Sequence, residues 1–169
     1  MKKTTTAFTA QMVTYETTLP FTEVIARLDA EVNKPDARGL LLAMGSAQTK
    51  QDFVDVVTGA TGGKDFAYFF EMNHHKWLNV YHEAPRTPPA VVYTIGNPLI
   101  AETFLRHDVR AGYCVPPRLM VVQNADASLT TVFYHLPSSL VVSDSDEVMD
   151  ALRVVDGKLE RMITRVTTE

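Results

Sequence analysis

The chain has 169 residues and a formal net charge of −4; 46% of its residues are hydrophobic and 21% are charged, which is typical of one soluble globular domain with a real core. The acidic balance, without any run of like charges, argues against a protein that binds a phosphate backbone, so we expect no nucleic-acid partner. No window approaches the roughly 18 apolar residues that a membrane-spanning helix needs, so we expect no membrane partner.

The first third of the chain predicts a strand followed by helices. Residues 11–19 alternate between apolar and polar side chains, which is the period of a half-buried strand. Pro20 then opens a helix whose apolar side chains recur every three or four residues. Residues 39–46 are apolar between glycines and fit either a buried strand or a helical turn. Thr49 is a candidate N-cap for a second helix, which ends at the following glycines.

The middle of the chain predicts two neighbouring strands and a helix. Residues 66–72 are apolar on both faces, which favours a central position in the sheet. Residues 90–95 form the next strand, after a polar loop that closes with two prolines. Asn97 is a candidate N-cap for the helix that follows, with Pro98 as its first residue.

The last third predicts a hairpin and a long helix. Residues 118–123 and 129–135 flank a five-residue loop. Ser145 or Asp146 caps the final helix, which fits either a helix that lies across the sheet or one that also forms a dimer interface. Its apolar residues alternate between spacings of four and three: Val148, Leu152, Val155, Leu159, Met162 and Val166.

The order β-α-(α)-β-β-α-β-β-α predicts an α+β fold, with a mixed or mostly antiparallel sheet and helices packed on one face. Residues 1–8 are expected to form a polar tail, and residues 9–169 a single domain. The only cysteine, Cys114, excludes an intramolecular disulfide. The basic start lacks the apolar stretch of a signal peptide, so we expect a cytoplasmic protein.

The richest candidate chemistry lies at the end of the strand at 66–72. Burial of Glu71 there would raise the pKa of its carboxyl and suit it to general acid–base catalysis; the alternative is an ion pair with Lys76 or an arginine. His74 and His75 follow, and in an extended strand only His75 would share the side of Glu71. Either histidine could move a proton near neutral pH, or simply form hydrogen bonds. These residues lack the spacings of zinc sites, so we expect no metal.

A second candidate lies at Gly96 and Asn97, where a strand turns into a helix. The first N–H groups of that helix could hold a carboxylate, phosphate or enolate oxygen, although an ordinary N-cap also explains them. Trp77 and Tyr93 could line an aromatic pocket or supply core area. Arg118 could bind an anionic ligand or be an edge-strand charge.

Six segments in one order along residues 19–140 resemble the domain-of-unknown-function family 302. The resemblance implies a compact α+β domain, commonly a homodimer, that uses no known cofactor. The segments are Leu19-Pro20-Phe21, Phe70-Glu71-Met72-Asn73-His74, Ile95-Gly96-Asn97-Pro98-Leu99-Ile100-Ala101, Arg106-His107-Asp108, Val115-Pro116-Pro117-Arg118-Leu119 and Tyr134-His135-Leu136-Pro137-Ser138-Ser139-Leu140.

Two functions fit these residues. The first is a cofactor-independent enzyme of the lyase, isomerase or cyclase type on a small carbonyl or phenolic metabolite; Glu71 and a histidine would move a proton, and the helix start at Asn97 would hold an oxyanion. The second is a non-catalytic, dimeric protein that binds a small aromatic or anionic metabolite. A third alternative is an interaction protein whose long helix recruits a partner. We favour the enzyme because a buried carboxylate beside imidazoles is costly to keep for binding alone.

Overall fold

One antiparallel sheet of five strands organises the chain in this computed structural model, which describes residues 1–169. The strands are β1 (Met12–Thr17), β2 (Ala67–Asn73), β3 (Ala90–Gly96), β4 (Arg118–Gln123) and β5 (Thr130–His135). Their order across the sheet is β1-β5-β4-β3-β2, so β1 and β2 are the two edge strands.

Eight α-helices and one 3₁₀ helix accompany the sheet. The α+β class is as predicted, and the element order roughly matches the prediction, with several short helices in addition. None of these helices combines the length and the apolarity that a bilayer crossing requires. The α-helices are α1 (Phe21–Glu31), α2 (Lys34–Ala37), α3 (Leu40–Ser46), α4 (Lys50–Thr61), α5 (His74–Tyr81), α6 (Pro98–Leu105), α7 (Pro137–Leu140) and α8 (Asp146–Thr167), and the 3₁₀ helix spans Val109–Cys114.

Local sequence signals set several helix boundaries. Thr49 forms a reciprocal capping box with Asp52 at the start of α4. The Ser145 hydroxyl accepts a hydrogen bond from the Val148 N–H and caps α8. The whole predicted apolar stripe of α8 is buried in the main core, which confirms that this helix lies across the sheet. The ambiguous residues 39–46 contain helix α3.

The helices cover one face of the sheet, as expected. α1 and α8 supply Val24, Leu28 and the α8 stripe to a core of twenty buried residues. The strands meet them with side chains of one parity, since successive residues of a strand point to opposite faces. These strand residues include Val91, Tyr93, Ile95, Leu119, Val121, Val132 and Tyr134.

The opposite face of the sheet, here called the open face, contributes no strand residue to that core. Cross-strand pairing aligns two rows of side chains on it, and several of these side chains are about half exposed. The first row is Phe70, Thr94, Arg118, His135 and Met12, and the second is Met72, Val92, Met120, Phe133 and Thr14.

The prediction that residues 66–72 form a central strand is wrong, because β2 is an edge strand. Its apolar residues serve two different surfaces. Ala67 and Phe69 pack in a small cluster with α3 and α4 beyond the edge of the sheet, whereas Phe70 and Met72 lie on the open face, 49% and 51% exposed. A strand buried on both faces and an edge strand with one exposed apolar face can therefore have the same apolar sequence pattern.

Candidate functional site

The residues predicted to form one site lie in separate places. Because β2 and β3 are antiparallel, Glu71 pairs with Tyr93, while Gly96 pairs with Ala67 at the other end of the ladder. At about 3.4 Å per residue, Gly96 lies roughly 10 Å along β3 from Tyr93. The expected convergence of Glu71, a histidine and Asn97 on one cavity is therefore not met.

Glu71 lies on the helix-covered face in a polar cluster with Asp29, Lys34 and Tyr93, here called the lysine network. The Lys34 ammonium donates to Glu71 Oε2 at 2.7 Å, to Asp29 Oδ2 at 3.2 Å and to the Tyr93 hydroxyl at 3.1 Å. The Tyr93 hydroxyl in turn donates to Asp29 Oδ1 at 2.6 Å. All three N–H groups of Lys34 have acceptors, so the network is complete within the chain.

The charges of the lysine network shift the pKa values of Glu71 and Lys34 in opposite directions, and each shift favours the ionised form. Burial acts to raise the pKa of the Glu71 carboxyl, but hydrogen bonds from Lys34 and Asn73 and the charge of Lys34 outweigh it, so this pKa lies below its usual value. Burial acts to lower the pKa of Lys34, but its bonds to Glu71 and Asp29 raise it overall. Glu71 therefore forms an ion pair, as the alternative interpretation of the sequence expected, and its partner is Lys34.

The two histidines begin helix α5 and do not continue the strand, so the parity argument does not apply to them. His75 Nδ1 accepts a hydrogen bond from the Ala90 N–H at 3.0 Å, which fixes the start of β3. His74 Nδ1 accepts from the indole N–H of Trp77 at 3.2 Å. Neither imidazole bonds to Glu71. Trp77 is 52% exposed on α5, and Tyr93 is buried in the core.

Gly96 and Asn97 form the predicted strand-to-helix junction, with the side chain of Asn97 as an ordinary cap. Its Oδ1 accepts from the N–H groups of Leu99 and Ile100 at 3.0 and 3.4 Å, and its Nδ2 donates to the Asp65 carbonyl at 3.1 Å. The donors that an oxyanion would use are therefore already bonded to Asn97.

A different set of polar side chains lies together on the open face. Thr94 on β3 pairs directly with Arg118 on β4, and His135 on β5 lies one residue beyond the Leu119–Tyr134 pair, on the same face as Arg118; we call these three residues the polar row. No ion pair or side-chain hydrogen bond of the chain involves Arg118 or His135. Thr94 is only 3% exposed, and its buried hydroxyl has no hydrogen-bond partner.

The polar row forms the floor of a groove of about 550 Å³, here called the open-face groove. Two chain segments build its walls: the connection that enters β4 and the turn that follows β5. Phe8 from the N-terminal tail lies at its edge. The wall side chains are mostly aromatic or apolar: Phe70, Tyr113, Pro116, Pro117, Pro137 and Leu140. The Cys114 thiol, also in this wall, donates to the Leu140 carbonyl at 3.0 Å.

Of the predicted ligand-binding residues, Arg118 alone belongs to this groove, and Thr94 and His135 were missed. The sequence carries a weak signal for both: Thr94 interrupts the apolar run of β3, and His135 is a polar residue at the end of β5. Only the strand register shows that they flank Arg118. No group of three or more His, Cys, Asp or Glu side chains in the structure could hold a metal ion.

Three comparisons place these features among known proteins. A family model described as "Domain of unknown function DUF302" matches residues 43–166, a range that includes all but the last residue of α8. The crystal structure of an uncharacterized conserved DUF302 protein from Bacillus stearothermophilus superposes with a TM-score of 0.64 over 92% of this chain and 97% of that chain, at 16% sequence identity. This level of identity supports a shared fold alone. No curated protein matches the chain.

Proposed function

The chain belongs to the DUF302 family, and from that premise we propose that it is a cofactor-independent binding protein that holds a small organic anion with an aromatic or apolar body in the open-face groove. One observation carries the proposal. The three side chains of the polar row lie side by side on the groove floor, and none of them has a partner within the chain.

The buried hydroxyl of Thr94 has no hydrogen-bond partner in the chain, as is also true of the Tyr134 hydroxyl in the core. A buried polar group without a hydrogen bond costs about 1–3 kcal/mol. Its cross-strand neighbours on this face are Phe70 of β2 and Arg118 of β4, and neither gives its hydroxyl a hydrogen bond. An oxygen atom of a ligand on the groove floor would accept a hydrogen bond from it once the half-exposed side chain of Phe70 beside it moves aside.

Arg118 supplies the charge that selects an anion. Its exposed guanidinium presents a planar fork of N–H donors that matches a carboxylate, sulfonate or phosphate group. Directly opposite cross-strand neighbours have Cβ atoms about 4.5–5.5 Å apart, so Thr94 and His135 flank it within reach of the same anionic group. His135 adds a ring nitrogen as a further hydrogen-bonding group.

The walls of the groove define the rest of the ligand. Phe70, Tyr113 and the prolines offer flat apolar surfaces, which favour an aromatic ring or a compact hydrocarbon body. The volume of about 550 Å³ falls within the range of roughly 300–1,000 Å³ that is usual for small-molecule sites. A sugar or another fully polar ligand would leave these walls without contacts.

Binding has more support than catalysis. An acid–base role for Glu71, His74 or His75 stays a prediction, but each of these groups already bonds within the chain, and Glu71 lies on the other face of the sheet. The homodimer expected from the family resemblance also stays a prediction. We would place its interface on the second open-face row, where Met72 is half exposed.

The proposal is tested by calorimetric titration with 2-naphthoate and its neutral isostere 2-naphthamide. We expect 2-naphthoate to bind and the amide to bind at least tenfold more weakly. Arg118→Met should weaken 2-naphthoate binding by tenfold or more, because a charge-assisted hydrogen bond contributes about 1.5–3 kcal/mol. Arg153→Met removes an exposed arginine on α8 and is the matched control. Equal affinities of wild type and Arg118→Met for 2-naphthoate would contradict the proposal.

A further inference from the structure

A second cavity lies at the other side of the β4 entry segment. It measures about 220 Å³ and sits under helix α6, between Ile100, Ala101 and Phe104 of that helix, Phe69 of β2 and Val155 of α8. The segment of residues 115–117 contributes to the walls of both this cavity and the open-face groove.

The two cavities are separate spaces. Gly96, Phe69 and Pro116 are in close contact between them: a Cβ atom added at Gly96 would lie 3.0 Å from Phe69 Cζ and 3.3 Å from Pro116 Cβ. None of the polar row contributes to the α6 cavity. A ligand in one cavity would therefore not contact the floor of the other.

The α6 cavity offers an occupant no polar side chain. Asn97 is the only polar residue in its wall, and both ends of its amide bond elsewhere, to Leu99, Ile100 and Asp65. Water molecules in this cavity therefore gain few hydrogen bonds from the protein, and an apolar ligand can displace them at little cost. The space opens to solvent on one side, so it is an apolar cleft in the protein surface and not a sealed void.

We propose that the α6 cavity is a binding site for a small, neutral, apolar molecule with the dimensions of one aromatic ring or a short alkyl chain. The volume of the cavity and its apolar lining together define this class of ligand. An enclosed apolar cavity of about 150 Å³ accommodates benzene in other proteins. The cleft under α6 has a comparable volume of about 220 Å³ and an apolar lining, and it is open to solvent on one side. A charged or strongly polar ligand would lose its hydration without gaining a hydrogen bond.

The probe for this site is toluene, followed by methyl-selective NMR and by thermal unfolding. We expect saturable binding that shifts the methyl resonances of Ile100, Leu105 and Val155 and raises the unfolding midpoint. Intermolecular NOEs from toluene to these methyl groups in the wild-type protein test the location without any substitution. Absence of saturable shifts, or NOEs only to Phe70 and Tyr113 in the groove, would overturn the proposal.

Substitutions then separate the two sites. Ala101→Leu fills the α6 cavity and should weaken toluene binding by tenfold or more, while its affinity for 2-naphthoate stays unchanged. Thr103→Leu adds a leucine on the exposed side of the same helix and should leave toluene binding as in the wild type. Arg118→Met should also leave it unchanged. Equal toluene affinity in Ala101→Leu and Thr103→Leu would refute the assignment.

Discussion

The two faces of the sheet hold polar clusters of opposite character. On the helix-covered face, the lysine network of Asp29, Lys34, Glu71 and Tyr93 leaves no N–H of Lys34 without an acceptor. On the open face, the polar row of Thr94, Arg118 and His135 has no partner in the chain. Polar groups that satisfy one another stabilise the fold, whereas unsatisfied groups in a groove are available to a ligand.

Two consecutive residues of β3 show this difference most clearly. Tyr93 and Thr94 are both buried and both carry a hydroxyl, but they point to opposite faces. The Tyr93 hydroxyl bonds to Asp29 and Lys34, while the Thr94 hydroxyl bonds to nothing. The presence of a buried hydroxyl therefore says little about function until its partners are known.

The largest effect is expected in the lysine network. Lys34→Met leaves the Glu71 and Asp29 carboxylates without their cation and should lower the free energy of unfolding by about 2–4 kcal/mol. This loss is somewhat smaller than that for a fully buried pair, because both carboxylates keep some exposure to solvent. Urea denaturation measures this loss. Lys76→Met on the exposed side of α5 is the control and should change stability by less than about 0.5 kcal/mol.

The corresponding change in the polar row should act on binding and not on stability. Arg118→Met removes an exposed side chain without a partner, so its free energy of unfolding should stay within about 0.5 kcal/mol of the wild type while 2-naphthoate affinity falls. The same urea series measures it. A stability loss above about 1 kcal/mol would mean that Arg118 has a structural role like that of Lys34.

The neighbouring hydroxyls should respond with opposite signs. Tyr93→Phe removes a hydroxyl with two partners and should destabilise the fold by about 1–2 kcal/mol. Thr94→Val replaces an unpartnered hydroxyl with a methyl group of the same shape and should leave stability unchanged or raise it by up to about 1 kcal/mol. If both variants lose the same stability, the contrast between the two faces does not hold.

The smallest effect is a pH dependence. The lowered pKa of Glu71 contributes stability above the ordinary carboxyl value of 4.5, and this contribution is lost as the pH falls through the folded-state pKa. The raised pKa of Lys34 contributes stability below 10.5, which is lost as the pH rises through its folded-state pKa. Unfolding of Glu71→Gln between pH 3 and 7 should therefore depend less on pH than that of the wild type. Arg118→Met should keep the pH dependence of unfolding seen in the wild type. If the free energy of unfolding changes with pH in the same way in all three proteins, the Lys34–Glu71 pair has no role in the pH dependence.

Local signals in the sequence predicted much of the fold. The apolar stripe of α8, the N-cap at Thr49 and the cap at Ser145 depend on residues within a few positions of one another, and all three are present. The location of the site depends on long-range pairing. The partner of Glu71 is Lys34, thirty-seven residues earlier, and only the antiparallel order of β2 and β3 separates Glu71 from Asn97.

The hairpin register shows how small a difference matters. A five-residue loop between residues 123 and 129 would pair those two residues, and would place Arg118 opposite Tyr134. In the structure Gln123 pairs with Thr130 and Leu119 with Tyr134, so continuing this register by one residue brings His135 opposite Arg118. Since a shift of one residue turns every side chain of a strand to the other face, the polar row could not be recognised from the sequence alone.

One measurement tests the central claim most directly: an NMR titration of the assigned wild-type protein with 2-naphthoate. We predict that the largest saturable shifts fall on Thr94, Arg118 and His135, with intermolecular NOEs from the naphthyl ring to Phe70. Saturable shifts centred on Glu71 and His74, or no saturable shift on the open face, would contradict it.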